Sequence, residues 1–146
     1  MPDVVAPVPG RVVGLADVPD PVFAQQVVGS GVAIDPDRAP GTAVAPVAGR
    51  LLKLHPHAFI VLTASGKGVL VHLGIDTVQL DGKGFDLLAS EGDEVAAGDP
   101  VVRWDPAAVE TSGRSPIVPV VVMDTAADTV STSVVGSSVD VGDRLF

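Results

Sequence analysis

His55, His57 and His72 are the only histidines in this 146-residue chain, and it has no cysteine. A neutral imidazole offers a lone pair on one ring nitrogen and a donor on the other. It therefore serves as nucleophile, donor or metal ligand near pH 7. His72 lies in the apolar run Val69-Leu70-Val71-His72-Leu73-Gly74-Ile75-Asp76-Thr77-Val78, and His57-Ala58-Phe59 lies fifteen positions upstream. The turn signal Ser65-Gly66 stands between them. A two-residue hairpin at that dipeptide predicts Phe59 opposite His72 and His57 opposite Gly74. The two imidazoles then become diagonal neighbours on one face, about 7–8 Å apart, and Gly74 leaves room beside both rings. A one-residue slip would send them to opposite faces. A lone histidine in an apolar strand is usually a hydrogen-bonded core residue. A second one converging on it from the paired strand changes that reading.

The elements that must hold these rings are short strands. Hydrophobic residues make up 47% of the chain but aromatics only 3%, so the core must be aliphatic. Sixteen glycines and thirteen prolines are spread along the sequence, between short valine-rich runs. This pattern predicts an all-β fold, an antiparallel β-sandwich or partly open barrel, with one or two short helical turns. One helix is expected from Asp20 as N-cap and Pro21 as first helical residue, for about two turns through Phe23 and Gln26 with Gly29 near its end. A weaker helical signal covers Pro106 to Glu110, and Ala126 to Ser138 reads as loop plus edge strand. Two internal echoes suggest quasi-repeated hairpins. Ala6-Pro7-Val8-Pro9-Gly10-Arg11 recurs as Ala45-Pro46-Val47-Ala48-Gly49-Arg50, and Val95-Ala96-Ala97-Gly98-Asp99 recurs as Val139-Asp140-Val141-Gly142-Asp143. Gly10, Gly49, Gly98 and Gly142 are expected at turns.

The length predicts one domain over 1–146. Eighteen acidic against nine basic residues give a net charge of −9, which disfavours nucleic acid and anionic membranes as partners. Absence of cysteine excludes disulfides, thiol chemistry and cysteine metal sites. The N-terminal residues lack a basic segment followed by an apolar one, and no apolar stretch approaches the roughly 20 residues a membrane helix needs. A cytoplasmic location is the expectation.

Many ordered blocks resemble one family. They are Pro7-Val8-Pro9-Gly10-Arg11, Val18-Pro19-Asp20-Pro21-Val22-Phe23-Ala24, Gly29-Ser30-Gly31-Val32-Ala33-Ile34-Asp35-Pro36 and Ala45-Pro46-Val47-Ala48-Gly49. His57-Ala58-Phe59, His72-Leu73-Gly74-Ile75-Asp76-Thr77-Val78, Gly82-Lys83-Gly84-Phe85, Glu91-Gly92-Asp93-Glu94-Val95 and Pro116-Ile117-Val118-Pro119-Val120-Val121 follow. Across nearly its whole length the chain resembles the glucose-type IIA component of the bacterial phosphoenolpyruvate-dependent sugar phosphotransferase system. The resemblance implies a β-sandwich phosphocarrier, with phospho-HPr as donor and the IIB domain of a membrane sugar permease as acceptor. It implies that His72 carries the phosphoryl group and that His57 supports the phosphate and its onward transfer. Regulatory target proteins are further partners it implies. The family often has threonine two residues before the supporting histidine, where it fixes that ring's tautomer. Here the position is His55, a candidate orienter of His57 by hydrogen bonding. Phe23, Phe59, Leu70 and Leu73 are candidates for an apolar docking face, with Asp20 and Asp76 as its acidic rim. Ile75 joins the apolar residues as a candidate shield against water.

The same residues bear on three other readings. His55-x-His57 and His72-x-x-x-Asp76 are similar to ligands of lysostaphin-type zinc hydrolases, but their order is reversed and their gap is short. No cofactor is required by the relay reading, although His57 and His72 form a candidate regulatory zinc pair. A biotinyl or lipoyl carrier needs a lysine at a hairpin tip with Met or Asp flanks, which Lys53, Lys67 and Lys83 lack. A regulatory module without transfer activity is disfavoured by the presence of both His57 and His72.

Overall fold

The computed structural model describes residues 2–146. Its strands are β1 (Gly10–Gly14), β2 (Gly29–Pro36), β3 (Gly41–Val44), β4 (Gly49–His55), β5 (Ala58–Leu62), β6 (Gly68–His72), β7 (Phe85–Leu87), β8 (Glu94–Val95), β9 (Pro100–Trp104), β10 (Val118–Met123) and β11 (Ser138–Val139). Eight of them form one sheet in the order β11-β1-β2-β10-β6-β5-β4-β8, and β3-β9-β7 form a second. Every strand pair is antiparallel. The main core lies between the sheets. Val12, Val32, Ile34, Leu51, Phe59, Val61, Val69, Val71, Val120 and Val122 of the large sheet meet Ala43, Val101, Val102 and Trp104 of the small one.

The central strands are buried on both faces, so they read as continuous apolar runs rather than alternating ones. Val32 and Ile34 point to the main core while Ala33 points outward, and Val120 and Val122 likewise bracket Val121. The outward residues form a second, smaller apolar cluster with Leu15, Val18, Phe23, Ile75 and Ile117, against which Leu70 packs. The residues that cover this outer face come largely from the segment between β1 and β2. It contains a 3₁₀ turn at Leu15–Asp17 and helix α1 at Pro21–Ala24. The Asp20 carboxylate accepts from the Val22 amide at 2.9 Å, which together with Pro21 starts α1 as the sequence predicts. The helix is shorter than expected. Gln26 already has φ +56, and Gly29 opens β2 instead of closing a helix. The second helix, α2 (Pro106–Thr111), forms at its predicted place with Asp105 as cap.

The internal echoes are real but partly misassigned. Gly98 and Gly142 occupy tight turns with φ +93 and +88. Their amides bond to the carbonyls of Ala45 and Ala6, the equivalent residues of the other echo. Asp99 and Asp143 close those turns by accepting from the amides of Ala96 and Asp140, both at 2.8 Å. Gly10 and Gly49 are not turn residues; they open β1 and β4. A Cβ at either would lie 2.2 Å from a cross-strand carbonyl oxygen, that of Asp35 or Leu62. Glycine is required there because two backbones touch, not because the chain reverses. The segment after β10 is loop until β11, an edge strand on β1, as the sequence suggests.

Candidate functional site: a histidine pair on the outer face of the sheet

The β5–β6 hairpin sets the position of His72, and its register differs from the one expected. Ala58 pairs with His72, Phe59 with Val71 and Leu62 with Gly68. The loop is three residues, Ala64 to Gly66, not two. It is closed by the Thr63 amide on the Lys67 carbonyl at 2.9 Å, with Gly66 at φ +86. The extra loop residue shifts every pair by one. It turns Phe59 into the main core, while His72 shares the outer face with Leu70 and Ala58.

That slip should separate the two histidines, yet their ring centroids are 5.2 Å apart. The reason is that His57 is not on a strand. Strand β4 ends at His55, which pairs with Ala58, so Pro56 and His57 are the two loop residues of the β4–β5 hairpin. A loop residue is released from strand alternation, and the His57 ring folds back over the outer face. Its backbone is fixed to β6 by the Leu73 amide donating to the His57 carbonyl at 2.7 Å. Ala58 supplies the space for this. It lies between His55 and His72 in the cross-strand row, and its small side chain leaves a gap that the His57 ring covers. The expected opposition of His57 and Gly74 does not occur, and the room is made by Ala58.

The result is a train of four rings. Phe23 meets His72 edge-on at 5.4 Å, His72 meets His57 at 5.2 Å and 72°, and His57 stacks on His55 at 5.8 Å and 25°. His55 is therefore a stacking neighbour of His57, and no hydrogen bond joins them among the described residues. The expected hydrogen-bonding role is not the one the geometry supports.

Gly74 has a different part from the one expected. Its carbonyl lies 2.5 Å from Nδ1 of His72. A carbonyl can only accept, so Nδ1 carries the proton and the neutral ring leaves its lone pair on Nε2. The carbonyl is aimed by a turn that admits no side chain at position 74. Gly74 has φ +84, and a Cβ there would lie 2.6 Å from the Thr77 methyl carbon and 3.0 Å from the Ser115 carbonyl oxygen. Thr77 is wholly buried, and its hydroxyl donates to the Leu73 carbonyl at 2.8 Å. The amides of Gly74 and Ile75 bond to the carbonyls of Ile117 and Ser115. Sequence reasoning missed Thr77 as a positioning residue. Its one signal was a polar residue inside a buried apolar run.

Electrostatics favour two uncharged rings. Burial lowers the pKa of His57 from 6.5 to about 4, helped by the neighbouring charges His72 and His55 would carry. His72 is also lowered, chiefly by burial; its bond to Gly74 and the carboxylates of Asp20 and Asp76 oppose this. Those two carboxylates thus lie close enough to His72 to act on it. Asp76 is exposed and Asp20 half-buried.

The proposed docking residues divide. Phe59 and Leu73 are fully buried at 0% exposure and belong to the main core, so they cannot form a docking face. Leu70 is half-buried and Phe23 is 7% exposed, its ring spent largely on covering His72. The exposed apolar side chains flanking the site are Val22, 46% exposed on α1, and Val78, 58% exposed just after Asp76. Neither was among the expected residues. No group of three or more histidine, aspartate or glutamate side chains is placed to hold a metal ion among the described residues. Among the described residues, His57 and His72 would give zinc two ligands, short of the three or four such sites use.

Two facing imidazoles, one with an oriented lone pair beneath an aromatic cover, have the geometry that histidine-based group transfer needs. The family model described as phosphoenolpyruvate-dependent sugar phosphotransferase system, EIIA 1, matches residues 2–127. A glucose-specific EIIA component of that system from Staphylococcus aureus is 44% identical over 122 residues, covering 82% of this chain and 72% of that protein. One from Staphylococcus epidermidis is 41% identical over 119 residues, covering 80% and 70%. The solved structure of glucose permease IIA from Mycoplasma capricolum superposes with a TM-score of 0.86 at 35% identity, covering 98% of this chain and 92% of that one. The chain belongs to the EIIA 1 family of the phosphoenolpyruvate-dependent sugar phosphotransferase system, whose members are phosphotransferase components. No helix among the described residues is long and apolar enough to cross a membrane.

Proposed function

We propose that this chain is a single-domain phosphocarrier, residues 1–146, in which His72 accepts a phosphoryl group from phospho-HPr and passes it to a IIB domain of a sugar permease. The observation that carries this reading is the bond from Nδ1 of His72 to the Gly74 carbonyl. It leaves Nε2 as the nucleophile. In the first step the Nε2 lone pair attacks phosphorus in line. A new N–P bond forms, and the donor's N–P bond breaks with its electron pair returning to the donor nitrogen. In the second step an acceptor thiolate attacks the same phosphorus. An S–P bond forms, and His72 recovers its lone pair and its neutral state. Nδ1 keeps its proton throughout, so His72 needs no proton transfer of its own.

His57 acts as the neighbouring donor. Because its pKa is held near 4, the ring is neutral and has one N–H for an equatorial phosphoryl oxygen. Positioning and such donors are the main needs of phosphoryl transfer. Phe23, Leu70 and Ile75 limit water at the site and protect the phosphohistidine. Docking is assigned to an apolar patch of Val22, Val78 and the accessible edges of Phe23 and Leu70, rimmed by Asp20 and Asp76. The carboxylates would steer a basic partner and pair with its arginines. The relatives are named glucose-specific, so a glucose permease is the first acceptor to test. A cytoplasmic location follows from these partners.

The test is reconstitution with phosphoenolpyruvate, enzyme I, HPr and vesicles carrying a glucose permease that lacks its own IIA domain. Sugar phosphorylation should depend on this chain and be lost in His72→Ala. Equal sugar phosphorylation by that variant would refute the proposal.

A further inference from the structure

We propose that His55 is a positioning residue for phosphoryl delivery, holding the His57 ring by stacking rather than by hydrogen bonding. The inference rests on the relay just described. His55 ends β4 and pairs with Ala58, which pairs in turn with His72. The two outer histidines of this row therefore stand on one face, two strands apart, roughly 10 Å at strand spacing. The His57 ring fills the interval. One neighbour is His72, met edge-on at 5.2 Å, and the other is His55, nearly parallel at 5.8 Å. No protein group hydrogen-bonds a ring nitrogen of His57 among the described residues. Among protein contacts, packing then sets its orientation, and His55 is the wall on the side away from His72. Without that wall the ring can swing off Ala58 toward solvent, and the donor leaves the phosphoryl oxygen.

This mechanism leaves a signature that a hydrogen bond would not. A stacking wall needs a flat ring and no particular polar atom. His55→Phe should keep it, whereas His55→Thr and His55→Ala should both lose it. Phosphorylated protein would be prepared with phosphoenolpyruvate, enzyme I and HPr, and the rate of delivery to a purified IIB domain compared with the rate of acceptance from phospho-HPr. We expect His55→Ala and His55→Thr to slow delivery five- to tenfold while slowing acceptance less than twofold, and His55→Phe to deliver within twofold of the parent. Delivery by His55→Ala at the parent rate would overturn the proposal. So would rescue by threonine but not by phenylalanine, since that outcome assigns the position to hydrogen bonding. A second readout is independent of the relay. In proton NMR the His57 ring signals should carry a ring-current shift that disappears in His55→Ala and persists in His55→Phe. If the parent accepts no phosphate while this shift is present, the relay fails and the stack stands. If the shift is absent, the stack fails whatever the transfer rates.

Discussion

Replacing Gly74 by alanine tests how the nucleophile is oriented, and its cost can be worked from the geometry. Gly74 has φ +84, where an L-residue loses roughly 1–2 kcal/mol relative to glycine. The new Cβ would also stand 2.6 Å from the Thr77 methyl carbon and 3.0 Å from the Ser115 carbonyl oxygen. Forcing a methyl into such a packed site costs about 1–3 kcal/mol. The two contributions total about 2–5 kcal/mol. The strain falls on the peptide whose carbonyl receives Nδ1–H of His72. Unfolding by urea can be followed by fluorescence of Trp104, the only tryptophan, which is buried against Phe85. Gly74→Ala should lower stability by that amount and slow labelling by phospho-HPr about tenfold, equivalent to about 1.4 kcal/mol. Adding Thr77→Ser removes the clashing methyl but keeps the hydroxyl that bonds the Leu73 carbonyl. The double variant should recover roughly 1–2 kcal/mol and leave the backbone strain in place. A Gly74→Ala variant within about 0.5 kcal/mol of the parent, labelled at the parent rate, would refute this account of how His72 is aimed.

Further outcomes are expected. Ala58→Leu should fill the gap beneath the His57 ring and displace it, cutting delivery to IIB more than acceptance from HPr; equal effects on both would contradict the assigned role of Ala58. His57 has its pKa lowered to about 4 from 6.5, so between those values the unfolded chain binds a proton that the folded chain does not. Stability should therefore fall as pH drops from 6.5 to 4 and be unaffected by this group above 6.5. His57→Gln should flatten that loss, which urea midpoints at pH 7 and pH 5 would reveal. Thr77→Val leaves the buried Leu73 carbonyl without its hydroxyl donor and should cost about 1–3 kcal/mol in the same unfolding assay.

Most of the fold was legible because local chemistry dictated it. Asp20-Pro21 and Asp105-Pro106 are capping signals that each start a helix, and Gly98-Asp99 and Gly142-Asp143 each make a turn closed by its own carboxylate. The convergence of His57 and His72 was also legible, but for a reason that the structure replaces. Gly66 can serve as the second residue of a two-residue loop or the third of a three-residue loop, and the sequence around it suits both. The three-residue loop formed, and the strand register moved by one. That shift sent Phe59 into the core, which is why a residue beside the pair could not be a docking residue. It would also have parted the histidines had His57 been in a strand. Pro56 ends β4 there and leaves His57 in the turn, where alternation no longer applies. Ala58 stayed invisible because its role lies in what it leaves room for, and Thr77 gave only the faint signal of a polar residue in an apolar run. Such roles appear only when neighbours from distant segments, Ser115 and Ile117 among them, are in place.

The central claim is that Nε2 of His72 carries the phosphoryl group. Its most direct test is to incubate the protein with phosphoenolpyruvate, enzyme I and HPr, then map the phosphate by mass spectrometry and identify the nitrogen by phosphorus–nitrogen coupling in NMR. The account predicts one phosphate, on His72, through Nε2, and none on His55 or His57. Phosphate on another residue, or on Nδ1 of His72 where the Gly74 carbonyl should hold a proton, would contradict it.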